Sequence, residues 1–249
     1  AMAARAIAHF DLARVYAMIP TQSADANNSL GIVYMKVEDG DTGDPYAQPA
    51  RETVASNYAE IIGDLEQAAQ LIGDSNGEGR LDRDGVYGML SRVYLYNGDY
   101  QLAIDAADEV QTDVADAADL LDVYEDTTNE GVIIEWSVNT SSESGFNNVG
   151  VLYSQTTPPN TVSEYVIDYE FYNNLDPNDL RLDVIQYDAT NQGNNYNAVR
   201  KFLGETGQVN GRVDIKVLRA AEVVLNKAEA QFELDQEGPA LTTLNTLSL

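Results

Sequence analysis

Apolar residues recur at helical spacing over much of the chain, and the most regular stretch runs from Tyr87 to Val110. Tyr87, Leu90, Ser91 and Tyr94 share one face of a predicted helix. Large, small and glycine residues then follow in the order typical of a tetratricopeptide helix-turn-helix hairpin. Because hairpins of this kind bind other molecules far more often than they catalyse reactions, the pattern favours a binding protein.

The turn inside this hairpin reads Asn-Gly-Asp-Tyr at residues 97–100. Gly98 lets the chain leave the first helix in a left-handed conformation, and Asp99 is expected to cap the second helix. Two antiparallel helices approach closely only where one presents little volume. Ser91 and Ala103 are therefore predicted to lie at the closest approach.

The sequence predicts a single domain over residues 1–249, of mainly α fold class with little strand. Residues 19–50 form a long loop, and residues 131–212 are irregular but rich in aromatic side chains, which argues against disorder. A strand signal opens this irregular region, and Thr53 is expected to cap a helix. The predicted tetratricopeptide-like helical segments are residues 2–18, 53–124 and 213–249.

The charge of the chain limits its possible partners. It has 41 acidic and only 14 basic side chains, for a net charge of −27. Such a field repels nucleic acid and anionic membrane surfaces, so neither is expected as a partner. The acidic residues are spread over helices and loops with no long block of like charge. This distribution favours adaptation to high salt over a dedicated cation-binding surface.

Several kinds of chemistry are excluded or unsupported by the sequence. The chain has no cysteine, which excludes disulfides, thiolate zinc sites and cysteine nucleophiles. No phosphate loop, nucleophile elbow or zinc spacing is present, so no cofactor and no catalytic residue are predicted. The single histidine, His9, lies in a predicted helix and is expected to be structural.

Four segments, in order along nearly the whole chain, resemble the SusD/RagB family of nutrient-binding outer-membrane lipoproteins of Bacteroidetes. The third segment carries the most specific block, Leu-Ser-Arg-Val-Tyr-Leu-Tyr at residues 90–96 followed by Gly-Asp-Tyr at 98–100. The resemblance implies a SusD-like α/α superhelix of tetratricopeptide-like hairpins with a loop-rich ligand-side region. The four segments are residues 5–16, 51–68, 79–100 and 217–245.

The resemblance also implies a function and a location. It implies non-catalytic binding of oligosaccharide or another nutrient on the extracellular face of the outer membrane. The implied partner is a TonB-dependent transporter of SusC type, to which the ligand is delivered. Family members are anchored through a lipidated cysteine after a signal peptide. This sequence has neither, and it is therefore expected to be truncated, without the lipidation segment.

Glycan sites combine aromatic faces that stack on sugar rings with amides and carboxylates that bond hydroxyl groups. The irregular region supplies both, and the loop after the first helix is a second candidate by resemblance. The alternative is that the aromatic side chains fill the core, and Trp136 on its strand favours packing. The predicted ligand-binding residues are Tyr153, Tyr165, Tyr172, Trp136, Asn147, Asn148, Asn27 and Asn28.

Calcium binding and two other functions are alternatives to this interpretation. Asp39, Asp41 and Asp44 offer carboxylates on one turn, but a solvated turn in an acidic protein explains them better than a calcium site. No metal is therefore predicted. A tetratricopeptide-type scaffold for a protein partner stays open as an alternative function. A glycoside hydrolase also stays open, because 41 acidic residues offer many carboxylate pairs.

Overall fold

The chain forms two compact units in the computed structural model. The first unit comprises Ala1–Thr112 and Ala220–Ser248, and the second comprises Asp113–Arg219 with Leu249. The single domain expected from the sequence stays a prediction. The structure describes residues 1–36, 48–76, 80–138, 167–191, 194–199, 201 and 213–247.

Helices dominate the described residues, which confirms the mainly helical fold class. In chain order the helices are α1 (Met2–Tyr16), α2 (Val54–Leu71), α3 (Arg83–Asn97), α4 (Tyr100–Asp108), α5 (Leu120–Tyr124), α6 (Tyr169–Asn174), α7 (Arg181–Val184), α8 (Ala220–Glu233) and α9 (Glu237–Asn245). Short 3-10 helices cover Pro20–Gln22, Ala26–Asn28 and Ala117–Asp119. The strands are β1 (Val132–Trp136), β2 (Ile185–Asn191), β3 (Asn194–Val199) and β4 (Ile215–Arg219).

Helices α1 and α2 pack together through fully buried apolar side chains. The ring of Phe10 on α1 meets the ring of Tyr58 on α2 edge to face, with centroids 6.0 Å apart. Thr53 caps α2 as predicted, because its side chain accepts a hydrogen bond from the Ser56 backbone N–H at 3.2 Å. Each large side chain buried here stabilises the fold by about 1.5–3 kcal/mol. The largest buried side chains of the pair are Phe10, Val54, Tyr58, Ile61 and Leu65.

The α3–α4 hairpin follows the sequence prediction at its turn and at its closest contact. Gly98 has a φ of +85°, and Ser91 and Ala103 are both fully buried. Asp99 differs in one respect from the prediction. It occupies the N-cap position of α4, but its carboxylate accepts a hydrogen bond from the Asn97 side-chain amide at 2.6 Å instead of capping the helix. The side chain therefore braces the turn rather than the helix.

Two polar contacts join α8 to α3 across 130 or more positions of sequence. Arg92, which is buried on α3, donates two hydrogen bonds to the Glu222 carboxylate at 2.5 and 2.8 Å. The side-chain amide of Asn226 donates to the Ser91 hydroxyl at 3.1 Å. Because a buried guanidinium without a carboxylate is costly, this pair fixes how α8 packs on the hairpin.

The second unit contains two antiparallel strand pairs, β1 with β4 and β2 with β3. The sequence predicts helix from residue 213, and this is corrected by the structure, because Ile215–Arg219 form β4 and the helix begins only at Ala220. The cause is pairing with Val132–Trp136, since a partner strand overrides a weak helical pattern in a five-residue run.

Candidate functional site

Four of the predicted ligand-binding residues fall within the described ranges: Trp136, Tyr172, Asn27 and Asn28. Trp136 and Tyr172 belong to the second unit, whereas the two asparagines belong to the first. The other predicted residues lie outside the described ranges and stay predictions. They are Tyr153, Tyr165, Asn147 and Asn148, together with the calcium candidates Asp39, Asp41 and Asp44.

Trp136 ends strand β1 and leaves 56% of its surface exposed. Its cross-strand neighbour Ile215 is 50% exposed, so the two form an exposed apolar pair, here called the Trp136 platform. The sequence favours a packing role for Trp136, but the strand buries Ile134 instead. The pairing of β1 with β4 also shifts register between Ile134 and Glu135, so the strand pair is irregular next to Trp136. An exposed indole beside an aliphatic side chain is a surface on which a sugar ring can stack.

A carboxylate directly precedes the Trp136 platform in sequence. Asp214 directly precedes Ile215, and its carboxylate accepts a hydrogen bond from the backbone N–H of Val138 at 2.7 Å. The backbone N–H of Asp214 donates in turn to the carboxylate of Asp126 at 2.7 Å. A carboxylate has about four lone-pair positions. Asp214 can therefore accept further hydrogen bonds from hydroxyl groups of a ligand.

Lys216 supports the platform from within the second unit. Its side chain is only 7% exposed, and its ammonium group contacts the carboxylates of Asp126 and, at 3.1 Å, Glu135. Glu135 also faces Lys216 across the strand pair. Because a buried ammonium group needs opposite charge nearby, this contact fixes the register that places Trp136 opposite Ile215.

Tyr124 on α5 engages two more basic side chains of the second unit. The Lys201 ammonium lies 5.0 Å from the ring centre, and the Arg219 guanidinium lies 5.4 Å from it. A cation held at this distance from an aromatic face is attracted by the ring's electron density. These two cations are therefore engaged by the protein itself.

Helix α6 exposes aromatic side chains that are not among the predicted ligand-binding residues. Tyr169 and Phe171 are exposed, whereas the predicted residue Tyr172 is half-buried. Asp168 caps the helix by accepting a hydrogen bond from the Phe171 backbone N–H at 2.9 Å. The aromatic spacing indicates a short helix, but sequence spacing alone does not show which side of so short a helix faces the protein.

Asn27 and Asn28 present exposed side chains on a 3-10 helix of the first unit. The segment that follows is fastened to α2, because Asn57 accepts a hydrogen bond from the Ile32 backbone N–H at 2.6 Å and donates to its carbonyl at 3.2 Å. Gly31 permits this approach, since a Cβ atom there would lie 1.9 Å from the Asn57 side-chain oxygen. The described start of the long loop is thus held in place.

Asp64 on α2 anchors both α1 and this extended segment. Arg5 donates two hydrogen bonds to its carboxylate at 2.7 Å, and the Tyr34 hydroxyl donates a third at 2.6 Å. Burial alone would raise the pKa of Asp64, but these bonds and the charges of Arg5 and Lys36 hold the pKa below its usual value. Burial and the adjacent carboxylate raise the pKa of Tyr34. The cluster is a structural anchor.

His9 also serves the structure of the first unit. Its Nδ1 lies 2.8 Å from the Arg5 carbonyl oxygen, and its Nε2 accepts from the Met35 backbone N–H at 3.1 Å. Both ring nitrogens therefore have partners, as expected of a structural histidine. Within the described ranges, no group of three or more His, Asp or Glu side chains is placed to hold a metal ion.

None of the helices in the described part of the chain is both long and apolar enough to cross a membrane. Residues 1–95 match the SusD-like family model that carries the description "starch-binding associating with outer membrane". A search of curated protein sequences gives no significant match.

Solved structures resemble almost the whole chain. A SusD superfamily protein from Bacteroides thetaiotaomicron is 26% identical with a TM-score of 0.83, over 99% of this chain and 57% of that one. A Bacteroides vulgatus protein provisionally assigned as sugar binding is 28% identical with a TM-score of 0.81, over 99% and 55%. Surface glycan-binding protein A from Bacteroides uniformis shares the fold, at 16% identity and a TM-score of 0.67, over 98% and 57%. The chain thus spans just over half the length of these structures.

Proposed function

This chain belongs to the SusD/RagB family, and we propose that it binds oligosaccharide or a related nutrient without transforming it. The observation that carries the proposal is the exposed indole of Trp136 beside the exposed side chain of Ile215. An indole face packs against the C–H face of a sugar ring. Asp214, which directly precedes Ile215 in sequence, has a carboxylate that can accept hydrogen bonds from sugar hydroxyls.

The support beneath the platform favours binding over catalysis. The carboxylates of Glu135 and Asp126 are both engaged by Lys216, so they brace the strands. A glycosidase needs two carboxylates that flank the scissile bond and act on it. A rigid platform lowers the entropic cost of ordering side chains when a ligand binds. We therefore assign the chain a non-catalytic role.

The proposed place of action is the extracellular face of the outer membrane. There the chain would pass its ligand to a TonB-dependent transporter of SusC type. The description of the matching family model, with its association with the outer membrane, supports this location. The transporter partner is proposed from the family, and no contact among the described residues identifies it.

A protein-binding scaffold is the second candidate function, and one observation favours it. The α8–α9 hairpin exposes several large apolar side chains, and exposed apolar patches often mark protein interfaces. These side chains are Leu225, Phe232, Leu241 and Leu244. Under this alternative, the helical hairpins would bind a protein and the second unit would have no glycan ligand.

Isothermal titration calorimetry in concentrated salt tests the proposal with malto-, cello- and laminari-hexaose. We expect saturable heat with at least one sugar and no release of new reducing ends. Trp136→Ala should weaken that binding about tenfold or more, because stacking on the indole is lost. Phe232→Ala is the matched control, since it removes an exposed aromatic ring from the first unit. It should leave binding unchanged.

Two results would contradict the proposal. Release of reducing sugar would indicate a glycoside hydrolase. An absence of heat with every sugar would contradict it as well, and binding of a purified protein other than a transporter that Phe232→Ala abolishes would then favour the protein scaffold.

A further inference from the structure

The second unit has few basic side chains in its described part, and each of them already contacts a partner within the protein. The Arg181 guanidinium binds the Asp179 carboxylate at 2.5 Å, and Lys216 contacts Asp126 and Glu135. Lys201 and Arg219 both lie over the ring of Tyr124. Recruiting any of these cations to a ligand would break a contact that already exists.

The charged groups around the Trp136 platform are mostly acidic. Asp214 is next to Ile215 in sequence, and Glu135 precedes Trp136. The Lys216 ammonium is shared between two carboxylates, so this group of three side chains keeps a net negative charge. The whole chain adds a net charge of −27. A ligand that approaches the platform therefore meets a negative potential.

This arrangement bears on the kind of sugar that can bind. A uronate or sulfated sugar brings an anionic group that is usually held by an unshared arginine or lysine. The described lysine and arginine side chains of the second unit already have partners, and the chain carries a net charge of −27, so an anionic sugar meets repulsion instead. A neutral sugar loses nothing, because its hydroxyl groups donate hydrogen bonds to a carboxylate as readily as to an amide.

We propose that the Trp136 platform selects neutral oligosaccharides and excludes glycans that carry carboxylate or sulfate groups. This inference rests on the proposed sugar-binding function and adds the chemical class of the ligand. The selection has two parts, which respond differently to salt. Long-range repulsion is screened as salt rises, because the Debye length falls from about 10 Å at 0.1 M to about 3 Å at 1 M. The pairing of the cations in the described part of the second unit is the other part, and it persists when salt screens the long-range field.

The test compares malto-, cello- and laminari-hexaose with the same sugars oxidised at C6 to carboxylates. The members of each pair differ only at C6 of the glucose units, where a hydroxymethyl group becomes a carboxylate, so the ring faces that stack on the indole are matched. Calorimetry is run at 1 M salt and at the lowest salt that retains the native helical circular dichroism. We expect the oxidised sugar to bind about tenfold more weakly at low salt, with a smaller but measurable gap at 1 M.

Two variants of the exposed residue Ile215 place the effect at the platform. Ile215→Arg supplies the missing cation, whereas Ile215→Gln changes polarity without charge. Ile215→Arg should shift the preference about tenfold toward the oxidised sugar, and Ile215→Gln should leave the preference unchanged. Circular dichroism of both variants checks that each retains the native helical content.

The outcomes separate this inference from the function on which it rests. If neither member of any pair binds, the proposed function fails and the selection fails with it. If an oxidised sugar binds as tightly as its parent, the function stands and the selection is wrong. If the oxidised sugar is rejected but Ile215→Arg does not change the preference, the exclusion does not arise at the Trp136 platform, and the inference is overturned.

Discussion

The two units of the chain differ in what they bury. In the first unit, large apolar side chains such as Phe10, Tyr58 and Leu65 lie wholly inside, and polar pairs such as Arg92 with Glu222 join distant helices. In the described part of the second unit the buried apolar set is small, and charged contacts around Lys216 take its place. The difference indicates a division of labour. The first unit, with its large buried core, forms the scaffold. The second unit, with a smaller buried apolar set among its described residues, exposes the indole of Trp136 to a ligand.

A cavity in the core of the first unit should cost more stability than any other proposed substitution. Leu65→Ala should lower the free energy of unfolding by about 2–5 kcal/mol, because it removes a fully buried side chain from the α1–α2 core. Leu71→Ala on the same helix is the control and should cost less than about 0.5 kcal/mol, since Leu71 is exposed. Urea unfolding followed by far-ultraviolet circular dichroism measures both. Equal losses would show that the first unit lacks the core described.

Removing the buried cation should weaken the second unit in particular. Lys216→Met leaves Asp126 and Glu135 without their shared partner and should cost about 3 kcal/mol. The single tryptophan of the chain, Trp136, reports unfolding of this unit through its fluorescence. The control Lys227→Met removes a more exposed pair with Asp108 and should cost less than about 1 kcal/mol. If fluorescence and circular dichroism gave the same unfolding midpoint in Lys216→Met, the two units would unfold together, and the expected difference between them would be wrong.

Acid should weaken the first unit through Asp64. The folded state holds the pKa of Asp64 below its unfolded value of about 4. Its contribution is therefore complete above about pH 4 and is lost as the pH falls through the lower folded pKa. Asp64→Asn should cost about 1–2 kcal/mol at pH 7, and its difference from the native chain should shrink in acid.

The control for this pH dependence is Asp11→Asn, which removes an exposed ion pair with Arg14. It should change the free energy of unfolding by less than about 0.5 kcal/mol at either pH. A cost for Asp64→Asn that stays constant between pH 7 and pH 3 would contradict an ionised, hydrogen-bonded Asp64.

Removing a helix cap should lower the free energy of unfolding only slightly, and by more in the first unit than in the second. Thr53→Ala removes the cap of α2, a long packed helix, and should cost about 1 kcal/mol. Asp168→Ala removes the cap of the short, largely exposed helix α6 and should cost less than about 0.5 kcal/mol. Urea unfolding measures both variants. A larger loss for Asp168→Ala would show that α6 contributes to a core in the second unit.

The sequence predicts the scaffold well because its periodicity is long and redundant. The predicted hairpin begins with α3, as expected, and Gly98 ends that helix in the left-handed conformation. One face of α3 carries Tyr87, Leu90, Ser91 and Tyr94. Individual hydrogen bonds are harder to predict. The Asp99 carboxylate could cap α4 or accept from the Asn97 side chain, and sequence spacing does not show that it bonds Asn97.

Much less of the candidate site is readable from sequence. The short run of residues 215–219 fits a helix or a strand, and only its pairing with β1 decides between them. Alternation along β1 predicts the same environment for Ile134 and Trp136, yet the first is buried and the second is exposed. Asp214 cannot be recognised as a candidate from sequence, because its hydrogen bond to Val138 joins residues that are 76 positions apart.

Contact between the ligand and Trp136 can be measured through the fluorescence of this single tryptophan. The native chain in 1 M salt is titrated with whichever of malto-, cello- or laminari-hexaose gives calorimetric heat. We predict a saturable change in the intensity or wavelength of the emission, with the same midpoint as the heat, because the sugar covers a side chain that is now 56% exposed. Saturable heat with unchanged tryptophan emission would contradict the account, because the sugar would then bind elsewhere.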